Sequence, residues 1–311
     1  MKTFFAIVVL LIVVCFLGIT RIHRGTSVAS TGRPLMVYCA AGIKKPVEAI
    51  AKQYEEEFGI VIQLQYGGTG TLLSQLLIAK QGDIFIAADD GAVESAREKG
   101  AVREAIKLAI QYPVIAVQPG NPKGIKNFDD LLRDDVRVAI SNPEAASIGK
   151  RTREAAGDRW EILQSKVTVM KPTVTELALD LKVGAVDAAV IWNSTVPQFA
   201  GLEAVEIPEF NEQKDNVSAT ILNVCDQPQA ALKFARYLVA PEKGGAVFTE
   251  KGFNVVKGDT WKEKPELILY SGGVNRPAIE KLLQEFAERE GIDLTTMFNG
   301  CGILCATMQA M

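Results

Sequence analysis

The chain has almost no histidine and no excess of basic residues. Its 311 residues include 1 histidine, and 34 Lys and Arg stand against 37 Asp and Glu, which gives a net charge of -3. A nucleic-acid-binding surface needs clustered basic charge, so that class of partner is excluded. Because His23 precedes the first predicted strand, histidine catalysis and histidine metal ligation are excluded as well.

Cysteine is also scarce, and its spacing matches no disulfide or metal framework. The 5 cysteines form no C-x-x-C pair, and Cys301 and Cys305 lack the further Cys or His partners that a zinc site needs. Cys39 and Cys225 lie in apolar runs typical of strands, so we expect them to be small buried side chains. No protein-ligated metal and no cofactor is predicted.

The N-terminus has the pattern of an export segment. A basic start precedes the apolar run from Phe4 to Ile19, as in a signal peptide. Residues 27–29, Ser-Val-Ala, offer a small-residue cleavage site, whereas Arg21 and Arg24 would suit an uncleaved anchor. We therefore expect residues 1–30 to be a signal peptide or an N-terminal membrane anchor. The expected location is the periplasm or the extracytoplasmic face of the cell membrane, with membrane contact through this segment if it is uncleaved.

From Leu35 onward, short β-rich runs alternate with stretches of helical periodicity. This alternation is typical of an α/β fold in which helices cover mainly parallel sheets. The predicted strands are 35–40, 60–65, 83–87, 114–117, 136–140, 167–170 and 187–191. With 48% hydrophobic residues, the chain can fill the cores of two lobes.

The chain is predicted to cross between two lobes and return. The run from Tyr112 to Val117 begins a new unit after a stretch interpreted as helical, and 217–224 has the pattern of a return strand. Lobe 1 is accordingly predicted at 35–113 and 220–262, and lobe 2 at 114–219. Such crossing strands would act as hinges, and the cleft between lobes is a usual place for a ligand.

The most informative segment is the Gly-rich turn from Tyr66 to Thr71, which joins a predicted strand to a helix. Glycines allow close approach of the backbone to a ligand, the first helical N–H groups lack internal partners, and the helix dipole favours negative charge. Thr69 adds a neutral hydroxyl donor. No Lys-Ser/Thr pair follows the glycines, so a nucleotide P-loop is not indicated.

Three further junctions, 39–43, 141–149 and 171–176, also follow a predicted strand and precede a helix. Ser147 offers a hydroxyl and a helix cap. Thr173 and Glu176 match a capping box, which would leave the Val174 N–H as a donor. Trp192 directly follows the strand predicted at 187–191, and its indole N–H could donate to an oxyanion. Since open α/β sheets bind ligands at the carboxyl ends of their strands, the junctions together predict a site of neutral donors for one anion.

The end of the chain repeats the beginning of this pattern. At a shift of 232 positions the matched pairs include Leu35 with Leu267, Gly59 with Gly291, and Gly68 with Gly300. The repeat stops before any counterpart of 83–87, so we predict an incomplete repeat of the start of the domain at 266–311. Cys301 stands in the place of Thr69.

In the combination and order of its segments, the chain resembles the periplasmic molybdate-binding proteins of ABC importers, a type II periplasmic binding protein family. The segments are 37–42, 68–72, 82–89, 142–144 and 184–190. The resemblance implies a two-lobed type II periplasmic-binding-protein fold, each lobe a mostly parallel sheet flanked by helices, with hinge strands between the lobes. It also implies that residues 35–262 form an oxyanion-binding domain.

The resemblance further implies a set of ligand-binding residues. The family holds its oxyanion with serine hydroxyls and main-chain amides at the first two turns, amides at the next two, and a tyrosine after the last strand. The corresponding positions here are Gly42, Thr69, Ile148, Val174 and Trp192. Gly42 lacks the usual hydroxyl, Thr69 keeps one, and Trp192 replaces the tyrosine. Ser147, from the third junction, completes the predicted site.

The predicted function is that of an extracytoplasmic solute-binding protein for a tetrahedral oxyanion, molybdate or tungstate, which it presents to the membrane permease of an ABC importer. Sulfate or another oxyanion stays open, as does a membrane-tethered anion sensor or adaptor. A transferase that used Cys39 or Cys225 as nucleophile would lack a base and a cationic neighbour to lower the thiol pKa. The chain is therefore predicted not to be an enzyme.

Overall fold

A computed structural model describes residues 32–310 of the chain. The predicted signal peptide or anchor at 1–30 lies outside the described residues, as does Met311. Between residues 32 and 310, no helix combines the length and the apolar character that crossing a bilayer requires.

The predicted strands follow one another in the predicted order, and most are separated by helices. The strands are β1 (Leu35–Ala40), β2 (Ile62–Gly67), β3 (Ile84–Ala87), β4 (Val102–Gln111), β5 (Pro113–Val117), β6 (Val138–Ser141), β7 (Val167–Lys171), β8 (Ala188–Trp192), β9 (Glu203–Val205), β10 (Asp215–Leu222), β11 (Asn254–Val255), β12 (Glu266–Gly272) and β13 (Asp293–Asn299). The helices are α1 (Lys44–Phe58), α2 (Thr69–Ala79), α3 (Asp90–Glu98), α4 (Ser147–Ala156), α5 (Trp160–Lys166), α6 (Val174–Lys182), α7 (Pro228–Val239), α8 (Gly244–Glu250), α9 (Arg276–Glu290) and α10 (Cys301–Gln309). Every strand expected from the sequence is found, with bounds shifted by at most 2 residues.

The first lobe is built on a six-stranded sheet with the order β11-β4-β10-β3-β1-β2. β1 lies between β2 and β3 and pairs in parallel with both, so that Val37 stands opposite Leu64 on one side and Ile84 on the other. β10 is antiparallel to β3 and β4, and β11 is antiparallel to β4. The parallel pairing brings the carboxyl ends of β1 and β2 to the same edge of the sheet.

The second lobe is built on a five-stranded sheet with the order β7-β6-β8-β5-β9. β6 is parallel to β7 and β8, whereas β5 is antiparallel to β8 and β9. Both sheets are therefore mixed, and every antiparallel pair in them includes β4, β5 or β10. The strands that precede the predicted anion-binding turns are the parallel ones.

Two crossings join the lobes. β4 leads through Tyr112 into β5, and the chain returns from β9 into β10, which starts at Asp215, ahead of the predicted boundary at residue 220. The helical interpretation of the stretch before Tyr112 is wrong, because β4 occupies Val102–Gln111. Its sequence VREAIKLAIQ contains good helix formers, but pairing with β10 along most of its length outweighs that local preference.

Buried side chains form one cluster in the second lobe and two on opposite faces of the first sheet. β1 shows why the first sheet has two apolar faces. Leu35, Val37 and Cys39 contribute to one cluster, and Tyr38 contributes to the other, because successive side chains of a strand point to opposite faces. Cys39 is fully buried, as the sequence predicts, whereas Cys225 is only partly buried and lies after the end of β10.

The elements β12, α9, β13 and α10 form a smaller unit with its own two-stranded parallel sheet, in which Leu267 stands opposite Leu294. This C-terminal unit packs on the first lobe through α9, which contacts α7. Arg289 of α9 forms an ion pair with Glu104 of β4. Arg236 of α7 donates to the carbonyl oxygen of Glu290 over 3.1 Å.

Candidate functional site

The carboxyl ends of β1, β2, β6, β7 and β8 lead to a small cavity between the lobes. Its volume is about 20 Å³, which is room for roughly one water molecule. The residues predicted for the site all line it: Gly42, Thr69, Ser147, Ile148, Val174 and Trp192. The other lining residues are Ala41, Gly67, Gly68, Ala146 and Thr173, so no charged side chain lines the cavity.

The first turn is a short 3-10 helix, Ala41–Ile43, between β1 and α1. A Cβ atom on Gly42 would lie 2.9 Å from Val174 Cγ2 and 3.6 Å from Trp192 Cδ1. Both neighbours belong to the second lobe. The absence of a side chain at Gly42 therefore lets the two lobes approach each other closely at this wall of the cavity.

The second turn supplies the N-terminus of α2. The helix begins at Thr69, two residues before the predicted start at Thr71, and Gly68 is its N-cap. The Gly70 and Thr71 N–H groups donate to the carbonyl oxygen of Ala145 in the second lobe, over 3.1 and 3.3 Å. Thr69 lines the cavity. Its N–H group is at the first position of the helix and has no partner within the helix.

Gly68 is required at this turn because of close packing rather than unusual backbone angles. A Cβ atom there would lie 2.3 Å from the carbonyl oxygen of Ala145 and 2.6 Å from that of Pro172. Both are backbone atoms of the second lobe, so neither can move aside as a flexible side chain could. Any larger residue would hold the lobes apart.

The third turn leads into α4, which begins at Ser147 rather than near Gly149 as the sequence suggests. Ala146 is the N-cap and no side chain caps the helix, so Ser147 does not have the capping role expected of it. Its hydroxyl donates instead to Asp89 Oδ2 of the first lobe. The main-chain N–H groups of Ser147 and Ile148 are left as the donors that this turn can offer.

The fourth turn precedes α6, and Thr173 caps that helix as predicted. The Thr173 hydroxyl accepts from the Glu176 N–H over 3.4 Å, and Glu176 Oε2 bonds the same hydroxyl at 2.6 Å. The Val174 N–H therefore stands in the first position of the helix without an internal partner. Trp192, at the end of β8, is 2% exposed and lines the cavity beside Val174.

Two contacts between the lobes involve carboxylates of Asp89 and Asp215. One is the bond from Ser147 to Asp89, which also caps α3 by accepting from the Ala92 N–H over 2.8 Å. The other joins Arg151 of α4 to Asp215 of β10, with Nη2 and Oδ1 2.6 Å apart. Burial raises the pKa of the Asp215 carboxyl, and the bonds from Arg151 oppose that shift. Sequence reasoning missed this pair, because its partners lie 64 residues apart.

The arrangement suits an anion. The N-termini of α2, α4 and α6 all reach the cavity, and each carries the positive end of a helix dipole. A cation would face these positive ends and find no carboxylate among the lining residues. Within 32–310, no cluster of three or more His, Cys, Asp or Glu residues could hold a metal ion.

The thiols of Cys39 and Cys225 do not line the cavity. Burial raises the pKa of the Cys39 thiol far above its ordinary value. Burial, followed by a hydrogen bond to Asp83, raises the pKa of Cys225 to about 12. Both thiols are therefore protonated near neutral pH, which opposes a nucleophilic role.

A larger cavity of about 830 Å³ lies elsewhere, between α7 and the segment that connects β11 to β12. Its lining includes Arg236, Trp261 and Lys262. No carboxyl end of a parallel strand and no helix N-terminus opens into it, so it lacks the donors that the smaller cavity has. We therefore take the smaller cavity as the functional site.

The profile of the family described as bacterial extracellular solute-binding protein matches residues 35–254. The chain belongs to this family. A Haemophilus influenzae protein described only as a binding protein is 30% identical over 223 residues, covering 70% of this chain and 90% of that protein. Molybdate-binding protein ModA of Mycobacterium tuberculosis is 24% identical over 226 residues, covering 71% and 84%. The structure of the sulfate-binding protein SubI from Mycobacterium tuberculosis matches with a TM-score of 0.63 at 15% identity, covering 85% and 94%.

These matches confirm the predicted fold class, the two-lobed α/β fold of type II periplasmic binding proteins. They also confirm that the chain is not an enzyme, because the family binds solutes and does not transform them. The family profile matches residues 35–254 of this solute-binding protein. The C-terminal unit lies outside that matched region.

Proposed function

We propose that this protein captures a tetrahedral oxyanion, molybdate or tungstate, outside the cytoplasm and presents it to the membrane permease of an ABC importer. The observation that carries the proposal is the cavity at which three helix N-termini and the first turn converge with no charged side chain. The relative that is a molybdate-binding protein favours molybdate as the ion.

Neutral donors are well suited to such a ligand. A fully ionised oxyanion loses its hydration shell on entering a closed site, and that loss is unfavourable unless many hydrogen bonds replace the water. Main-chain N–H groups at Thr69, Ser147, Ile148 and Val174, with the Thr69 hydroxyl, can provide such bonds from both lobes. In this structure the cavity has room for roughly one water molecule, so the lobes would have to move slightly apart to admit a tetrahedral anion. Because the donors are held by helices, the spacing of the lobes would then determine which anion fits.

Sulfate or another oxyanion of the same shape is the second candidate. The same donors could bind any tetrahedral dianion. Two positions also depart from the molybdate pattern, since Gly42 lacks a hydroxyl and Trp192 replaces a tyrosine. The structural likeness to a sulfate-binding protein makes sulfate the first alternative to test.

The remaining parts of the chain have proposed roles as well. We infer that residues 1–30 direct export or anchor the protein, and that residues 35–262 form the binding domain. We also infer that 266–311 is an incomplete repeat of the start of that domain. The matching register supports this, since Leu35 pairs with Ile62 and Leu267 pairs with Leu294.

Calorimetric titration of the purified protein with molybdate, tungstate, sulfate and phosphate tests the proposal. We expect one anion to bind tightly and Thr69→Val to weaken it about 10- to 100-fold, the usual cost of losing a hydrogen bond to a charged group. Thr71→Val is the matched control, because Thr71 lies two residues further on and is exposed. A melting scan at a hundred times the Kd should show about 2.7 kcal/mol of added stability.

Each result has a clear consequence. Tight binding that Thr69→Val weakens and Thr71→Val leaves unchanged would support the site and name its ion. Binding of sulfate in preference to molybdate would identify sulfate as the ligand. No heat with any of the four anions would refute the oxyanion function.

A further inference from the structure

A hydroxyl just behind the residues that line the cavity has no partner among the described residues. Thr195, in the turn after β8, is fully buried, and its Oγ1 forms no hydrogen bond with any described residue. The main chain around it is well bonded, since the Thr195 N–H donates to the Trp192 carbonyl oxygen over 2.9 Å. A buried hydroxyl without a partner is unfavourable in the folded protein, so its retention at this place requires an explanation.

The position of this hydroxyl supplies one. Oγ1 of Thr195 lies 3.7 Å from the point where a Cβ atom on Gly42 would stand, and Trp192 Cδ1 lies 3.6 Å from the same point. Gly42 and Trp192 both line the cavity. The unpaired hydroxyl of the second lobe therefore lies beside the first turn, where Gly42 provides no side-chain donor.

The surrounding bonds hold Thr195 against the first turn. Gln198 Nε2 donates to the carbonyl oxygen of Gly42 over 3.1 Å and to that of Ser194 over 2.8 Å. One amide thus connects the first turn of lobe 1 to the turn that carries Thr195. A donor fixed in this way loses little further freedom when a ligand binds.

We propose that the Thr195 hydroxyl donates a hydrogen bond to the bound anion and takes the place of the side-chain donor that is absent at Gly42. The inference rests on the proposed function and adds a specificity-determining residue to it. A threonine hydroxyl can rotate to direct its proton at an anion. Bound anion would then satisfy this unpaired hydroxyl.

The test compares Thr195→Val, which keeps the shape but removes the hydroxyl, with Thr195→Ser, which keeps the hydroxyl. Titrations with molybdate, tungstate, sulfate and phosphate should show an affinity about 10- to 100-fold weaker for Thr195→Val and nearly unchanged for Thr195→Ser. Without anion, the Tm of Thr195→Val should be equal to or higher than that of the unsubstituted protein, because an unpaired buried hydroxyl has been removed.

The outcomes separate this inference from the proposed function. Tight binding by the unsubstituted protein with the same affinity for Thr195→Val would refute the role of Thr195 and leave the oxyanion function standing. A lower Tm of Thr195→Val with unchanged affinity would show a structural hydroxyl and also refute it. If the unsubstituted protein bound none of the four anions, both proposals would be wrong.

Discussion

The start of the binding domain and the C-terminal unit have the same local architecture. β1 and β12 each lead through a short 3-10 turn into a helix of 15 residues, and both helices end at a left-handed glycine, Gly59 with φ 67° and Gly291 with φ 63°. The strand pairing agrees too, since Leu35 opposite Ile62 corresponds to Leu267 opposite Leu294 at a shift of 232 positions. Periodicity, turn glycines and strand register are therefore local properties that both segments express.

The two units differ in what surrounds them. Tyr54 of α1 is fully buried, whereas its counterpart Phe286 in α9 is 43% exposed. Gly42 lies against the second lobe, whereas its counterpart Val274 is 90% exposed. β1 pairs with β3 as well as β2, while β12 pairs with β13 only among the described strands. A Gly-rich strand-to-helix turn thus becomes part of a closed site only where a second lobe packs against it.

The largest expected effect is on anion binding, and it distinguishes Gly68 from its counterpart Gly300. Gly68→Ala should abolish detectable anion binding, because its Cβ would lie 2.3 Å from the Ala145 carbonyl oxygen and prevent the lobes from closing. Gly300→Ala is the matched control and should bind normally, because nothing lies within 4 Å of its Cβ. Calorimetric titration measures both. Normal binding by Gly68→Ala would show that the closed arrangement is not needed for capture.

The next largest expected effect is on the free energy of unfolding, and it distinguishes Leu35 of β1 from its counterpart Leu267 of β12. Leu35 is fully buried and Leu267 is 44% exposed. Leu35→Ala should lower the free energy of unfolding by about 2 to 5 kcal/mol, as for a core cavity, and Leu267→Ala by about 1 kcal/mol or less. Urea unfolding provides the measurement. Equal losses for the two variants would mean that the C-terminal unit is covered in solution.

The smallest effect concerns acid stability. The hydrogen bond from Arg137 holds the pKa of Asp187 below its ordinary value, and Arg276 does the same for Glu280 of α9. A lowered pKa stabilises the fold above the unfolded-state pKa of about 4, and this stabilisation is lost as pH falls through the folded-state value. Asp187→Asn should therefore destabilise the protein by no more than about 1 kcal/mol at neutral pH and have no effect in strong acid.

Urea unfolding of Asp187→Asn at about pH 7 and about pH 2 checks this expectation. Glu280→Gln is the comparison in the C-terminal unit. It should lower stability at neutral pH by less than Asp187→Asn does, because the Glu280 side chain is 44% exposed and bonds only within an exposed helix, whereas that of Asp187 is 12% exposed. A loss of stability for Asp187→Asn that persisted in strong acid would show that the charge of Asp187 is not its source.

Part of the structure could be predicted because the signals are local. β1 was predicted at its observed bounds, and the Thr173 cap followed from residue spacing alone. β4 could not be predicted, because its apolar positions fit a helix as well as a strand and only pairing with β10 decides between them. The Ser147 hydroxyl was assigned to the site, but the fold directs it to Asp89.

The amino-acid sequence by itself determined most of the strands and helices and the Gly-rich turn between β2 and α2, because each depends on residues close together in the chain. Only the tertiary structure decided which turns meet and which donors remain free. The Gly70 and Thr71 N–H groups are taken by Ala145, and Thr195 is brought beside Gly42. Such contacts depend on sheet register and on the approach of two lobes, which no local pattern contains.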